Sequence, residues 1–207
     1  VAVTRFEPLL LAPVFGLWVL AVRRDRRAVL QVGLAALLCA AVILPVTLHN
    51  WAGGGHYLVT PVGQAEMYRG NNRDTGGDYG GRQASATTSS RYPETLWKDI
   101  RLAPRRFLEL EVRKLGLFLS ASEPGNNLNY VISGKNLSRA LRWNPVSFPV
   151  LLALFGFGLA RLAQQRRWDL VALFGVSFLV ILAASLTIWV ESRIRTPVVV
   201  VMWPVAA

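Results

Sequence analysis

Leu170–Val190 reads LVALFGVSFLVILAASLTIWV, and only Ser177, Ser185 and Thr187 interrupt its apolar run. A helix on the surface of a soluble core carries an apolar stripe backed by a polar face; this stretch has no polar face. A run of about twenty such residues matches the ~30 Å hydrocarbon core of a bilayer. The same reading extends outward to Pro8–Val22 and Ala28–Thr47 on the N-terminal side, and to Val146–Ala163 and Thr196–Ala207 on either side of the quoted block. Composition agrees: 53% of the 207 residues are hydrophobic, and mean hydropathy is +0.36. The expected fold is an all-α polytopic membrane protein of about five transmembrane helices, the last one truncated at Ala207. Both ends of the sequence read as cut, since Val1 is not a start methionine and no signal-peptide pattern follows it.

The formal charge of +11 is best read by position. Arg23, Arg24, Arg26 and Arg27 lie between the first two apolar blocks, and Arg161, Arg166 and Arg167 between the third and fourth. Both connectors are short, the situation in which excess Lys and Arg mark the cytoplasmic side. That placement accounts for the charge without nucleic acid, which is not an expected partner. The chain then divides into residues 1–47, two spans with a cytoplasmic arginine turn; residues 48–144, an extracytoplasmic loop; and residues 145–207, three further spans.

A transmembrane connection as long as 48–144 is more than a tether. Tyr57-Leu58-Val59-Thr60 reads as a short strand stopped by Pro61, and 71–90 as irregular chain rich in Gly, Asn, Ser and Thr. Pro104–Ser120 reads as a helix. On it Arg105, Arg106, Glu109, Arg113, Gly116 and Ser120 fall on one narrow face, and apolar residues cover most of the rest. Such a helix lies along a membrane surface. Glu111 and Lys114 break its apolar side; three residues apart, they can pair with each other, and Lys114 can instead meet an anionic headgroup. Asn144-Pro145 reads as the cap of the third span, and Thr196-Pro197 as the cap of the last.

Soluble-enzyme signatures are missing from the sequence. It has no phosphate-binding glycine loop, no His-Glu-x-x-His and no nucleophile elbow. His49 and His56 lack ligand spacing, and the lone Cys39 excludes an internal disulfide, so neither a metal nor a cofactor is expected. The residues left for chemistry gather at the outer boundary. Arg193, Arg195 and Lys114 are fixed cations suited to a phosphate at headgroup depth.

Motif order adds a resemblance. Thr4-Arg5 stands before the first span, with Phe6 where a proline is usual. Leu44-Pro45-Val46-Thr47-Leu48-His49-Asn50 closes the second span. Leu58-Val59-Thr60 is followed by Met67-Tyr68-Arg69-Gly70-Asn71-Asn72, then Arg113-Lys114-Leu115, Glu123-Pro124, Asn126-Asn127 and Arg193-Ile194-Arg195-Thr196-Pro197. In this order the chain resembles the polyprenyl-phosphate-sugar-dependent GT-C glycosyltransferases, the group of protein O-mannosyltransferases and lipid A aminoarabinose transferases. The resemblance implies inverting transfer of a sugar from a polyprenyl-phosphate carrier to an acceptor hydroxyl on protein, lipid or glycan, at the outer face of a bacterial inner membrane. It implies that Lys114, Arg193 and Arg195 hold the carrier phosphate, that Tyr68, Asn71 and Asn72 shape a turn or touch sugar, and that Glu123 and Asn127 order the loop. The family's catalytic carboxylate lies in a first outer loop, which this order of motifs would place upstream of Val1. The catalytic residue is therefore unknown here; Asp74, Asp78 and Glu123 share the correct face without being promoted to base, and the fragment alone is expected to be inactive. The rival readings are a lipid-linked-sugar transporter, which calls for broken spans or mid-depth charges, and a non-catalytic membrane assembly protein.

Overall fold

The computed structural model describes residues 7–53, 63–72, 75–76, 92–121, 147–188, 190 and 192–206. The described residues are helical, with no extended strand among them. A 3-10 turn, Glu7–Leu10, leads into α1 (Leu11–Arg23). There follow α2 (Arg26–Ala52), α3 (Gly63–Asn71), α4 (Tyr92–Leu102), α5 (Pro104–Leu119), α6 (Phe148–Gln164), α7 (Trp168–Leu186) and α8 (Ser192–Ala206). Two of these, α2 and α7, are long and apolar enough to cross a membrane, while α1, α6 and most of α8 are shorter apolar helices.

Several boundaries differ from the sequence reading. Helix α2 runs through Pro45 and past Thr47 to Ala52, so His49-Asn50 ends the helix instead of opening the loop. Proline removes a single ladder bond, and the apolar residues on either side carry the helix on. Helix α8 begins at Ser192, not at Thr196, which puts Arg193 and Arg195 in its first turns. Met67–Asn71 is the end of a helix and not a turn after a strand. The expected strand at Tyr57–Thr60 and the cap at Asn144-Pro145 lie outside the described residues. Helix α4 is absent from the sequence reading, although Pro93 and Glu94 at its start, Arg101 at its end and the Leu96/Ile100 spacing are all helix signals.

The chain forms two compact units. The first comprises Val1–Gly63 and Leu159–Ile181. Its two arginine connectors are built alike. Arg24 (φ 51°) and Arg166 (φ 57°) each take the left-handed conformation that ends a helix. Arg24 N–H donates to Leu20 O at 3.2 Å; Arg166 and Arg167 N–H donate to Ala163 and Leu162 O, both at 2.9 Å. Asp25 then caps α2, its Oδ1 accepting from Ala28 N–H at 2.5 Å. Trp18 Nε1 of α1 donates to Asp169 O at the start of α7, at 2.8 Å. The C-terminal half of α1 is thereby tied to the start of α7.

The second unit comprises Gln64–Gly158 and Leu182–Ala207. Its buried apolar residues include Phe118 of α5, Leu151 and Phe155 of α6, and Val198, Val201 and Met202 of α8. Phe118 and Phe148 meet edge to face, their centroids 5.5 Å apart. At Gly158 the backbones of α6 and α8 come close: a Cβ there would stand 2.0 Å from Val205 O. Only glycine permits that approach.

Candidate functional site: a buried lysine at converging helix ends

Helix α5 has three faces. Arg105, Arg106, Glu109, Arg113 and Gly116 are exposed, in keeping with the narrow polar stripe. Leu108 and Val112 are exposed apolar residues beside them, a combination suited to a lipid–water boundary. The third face turns inward, with Phe118 and, unexpectedly, Lys114 fully buried on it.

The Lys114 ammonium has three protein acceptors. Its Nζ donates to Asn71 Oδ1 at 2.5 Å, to Glu111 Oε1 at 2.8 Å and to Leu186 O at 2.8 Å. These account for the three donors a lysine has. Burial away from water pushes the Lys114 pKa below its ordinary value, while the hydrogen bond and charge of Glu111 oppose that shift. Glu111 keeps one edge near water, its side chain being 23% exposed.

Asn71 joins the same network from the other side. Its Nδ2 donates to Met67 O at 2.7 Å in its own helix and to Thr187 O at 2.8 Å beyond the end of α7. Asn72 closes α3 by donating Nδ2 to Tyr68 O at 3.2 Å and to Arg69 O at 3.0 Å. Both asparagines are buried. Terminal carbonyls of a helix have no partners within it and carry partial negative charge. Lys114 and the Asn71 amide therefore tie together the C-terminal ends of α3 and α7 on the flank of α5.

Arg195 serves the end of α5 in the same way. It is 5% exposed; its Nη1 donates to Ser120 O at 3.2 Å, and its Nη2 to Ser120 Oγ at 3.4 Å and to Leu117 O. Its guanidinium carbon lies 4.9 Å from the centre of the Phe148 ring and 6.0 Å from that of Phe118, within cation–π range. Beside this network Asn71, Asn72, Asp99, Arg106 and Phe107 help line a cleft of about 10 Å³, room for a single water molecule and not for a sugar.

Of the residues singled out from sequence, Asn71 and Lys114 meet directly, and Arg195 binds the same helix one turn beyond Lys114. Tyr68 contributes its carbonyl to the Asn72 cap. Arg193 lies in the first turn of α8, its side chain outside the described residues; Glu123 and Asn127 also lie outside them. The Glu111–Lys114 pairing anticipated from spacing is present, and the headgroup alternative for Lys114 meets an ammonium already surrounded by protein oxygens. Sequence reasoning passed over the Leu186 and Thr187 carbonyls and the two phenylalanine rings. No local pattern marked them, since the apolar run continues past Leu186 to Val190. No family model, no curated protein and no solved structure matches the chain.

Proposed function

We propose that the chain is part of a membrane glycosyltransferase, moving a sugar from a polyprenyl-phosphate carrier to an acceptor hydroxyl on the extracytoplasmic face. In this reading all five apolar helices are spans. The 3-10 turn and α1 together reach about 28 Å at 2.0 and 1.5 Å per residue, and α6 about 26 Å, close to the ~30 Å required. The two arginine turns mark the cytoplasmic side, and the Trp18–Asp169 bond, which ties the C-terminal half of α1 to the start of α7, is in keeping with that assignment.

The observation that carries the reading is that Asn71 and Lys114 meet directly and that Arg195 binds the same helix one turn beyond Lys114. All three lie in stretches quoted for the resemblance, and Asn71 and Lys114 are 43 residues apart in sequence. A phosphate monoester is a good leaving group, with a second pKa of about 6, and fixed cations lower the barrier by holding the charge that develops on it. Arg193 is assigned to that phosphate, and Arg195, whose two Nη groups already bond Leu117 and Ser120 at the end of α5, would position it. Lys114, with all three donors engaged, is a positioning residue that fixes α5 and α3. The acceptor hydroxyl still requires a carboxylate base within reach.

The test is transfer by membranes containing the protein, given labelled polyprenyl-phosphate sugars and assayed for labelled acceptor. Arg193→Ala is expected to abolish transfer at unchanged expression. Turnover equal to the wild type in that variant overturns the phosphate role. A second reading, a non-catalytic membrane protein whose outer helices are clamped to its spans, is favoured by the complete engagement of Lys114; it predicts no transfer from any carrier.

A further inference from the structure

A groove of about 1010 Å³ runs between α1 and α2. At its floor Gly16 comes close to Val32, with only 3.3 Å between a Cβ placed there and Val32 Cγ1. Its walls are apolar, Phe15, Leu20, Ala36 and Cys39 among them, and the charged or amide side chains lining it are Arg23 and Gln31. These two sit together at one end, Arg23 Nη1 donating to Gln31 Oε1 at 2.8 Å. From Leu9 to Arg23 the slot is about 20 Å long, slightly more than one leaflet of a ~30 Å core.

At the polar end the exposed arginines 24, 26 and 27 join Arg23. The one acid among them, Asp25, accepts the Ala28 N–H as the cap of α2. An apolar slot one leaflet long, with a cluster of cations at one mouth, is complementary to an amphiphile with an anionic head. Basic pockets between transmembrane helices on the cytoplasmic side favour such headgroups.

We propose that the α1–α2 groove binds an anionic phospholipid, its acyl chains along the apolar walls and its phosphate at Arg23, Arg26 and Arg27. The inference rests on α1 and α2 crossing a membrane, and is independent of sugar transfer. Arginine alone among the cations keeps both its charge and its forked donors for phosphate oxygens.

The experiment places the protein in nanodiscs of equal parts phosphatidylcholine and phosphatidylglycerol and identifies retained lipid by native mass spectrometry. The wild type is expected to retain phosphatidylglycerol with a preference of at least about tenfold, from three cations each contributing several-fold near a charged surface. The triple variant Arg23→Gln/Arg26→Gln/Arg27→Gln should lose the preference. Arg105→Gln/Arg106→Gln, on the exposed face of α5, should keep it. Ala36→Trp, which fills the groove and leaves the charges in place, should retain no tightly held lipid. Equal retention of the two lipids by the wild type overturns the proposal, as does an unchanged preference in the triple variant or in Ala36→Trp. Cross-linking from Cys39 to a second copy would show the groove occupied by protein and overturn it too. Failure to enter nanodiscs at all would remove the membrane reading itself.

Discussion

Lys114→Met keeps most of the side-chain volume and removes the charge, so it isolates what the ammonium does. Three acceptors lose their donor: Asn71 Oδ1, Glu111 Oε1 and Leu186 O. Glu111 can turn its exposed edge to water. The other two are left without this donor at a buried junction, at about 1–3 kcal/mol each. Against this, the variant no longer holds an ammonium out of water, which itself costs several kcal/mol. Breaking a buried pair from one side costs about 3–5 kcal/mol net of that relief; because Glu111 can reach water, a net loss of about 2–4 kcal/mol is expected. Adding Asn71→Leu to Lys114→Met should deepen the loss, because it also removes the Nδ2 donor to Thr187 O at the same buried junction. The assay is reversible unfolding in mixed micelles with increasing denaturing detergent, followed by tryptophan fluorescence. A loss below about 0.5 kcal/mol for Lys114→Met, within the range of ordinary surface substitutions, would refute the claim that the lysine clamps the helix ends.

Gly158→Ala forces a methyl into the Val205 carbonyl; because that obstacle is backbone, a loss of about 1–3 kcal/mol is expected in the same unfolding assay, while Gly156→Ala, which meets open space, should change little. The pH dependence has a definite sign. Because the folded pKa of Lys114 lies below the ordinary 10.5, the folded state binds fewer protons than the unfolded one between the lowered value and 10.5. Stability contributed by this group therefore rises with pH across that window and is lost as pH falls through the folded pKa. Unfolding measured from neutral to alkaline pH should show the slope in the wild type and a reduced slope in Lys114→Met.

The apolar helices were legible because hydropathy and length are local properties. Their ends were less so, and Pro45 shows why: a proline signals a break, yet the apolar residues after it carry α2 on to Ala52. The segment 68–72 misled in the opposite direction. Gly70, Asn71 and Asn72 are turn formers in isolation, but here Asn72 closes the end of a helix with its own amide. At the candidate site the boundary between local and distant information is sharp. The Glu111–Lys114 pair follows from spacing. The bonds from Lys114 to Asn71 and to Leu186 span 43 and 72 residues and depend on tertiary packing that no local pattern encodes.

The proposed function requires α4 and α5 to stand outside the membrane and both arginine turns inside. In a Cys39→Ala background, single cysteines at Lys98, Arg24 and Arg166 can be challenged in intact cells with a membrane-impermeant thiol reagent. Labelling at position 98 before permeabilisation, and at 24 and 166 only after it, is the predicted pattern. Labelling at 24 and 166 in intact cells, with 98 protected, would contradict it and take the site away from the face where the sugar is transferred.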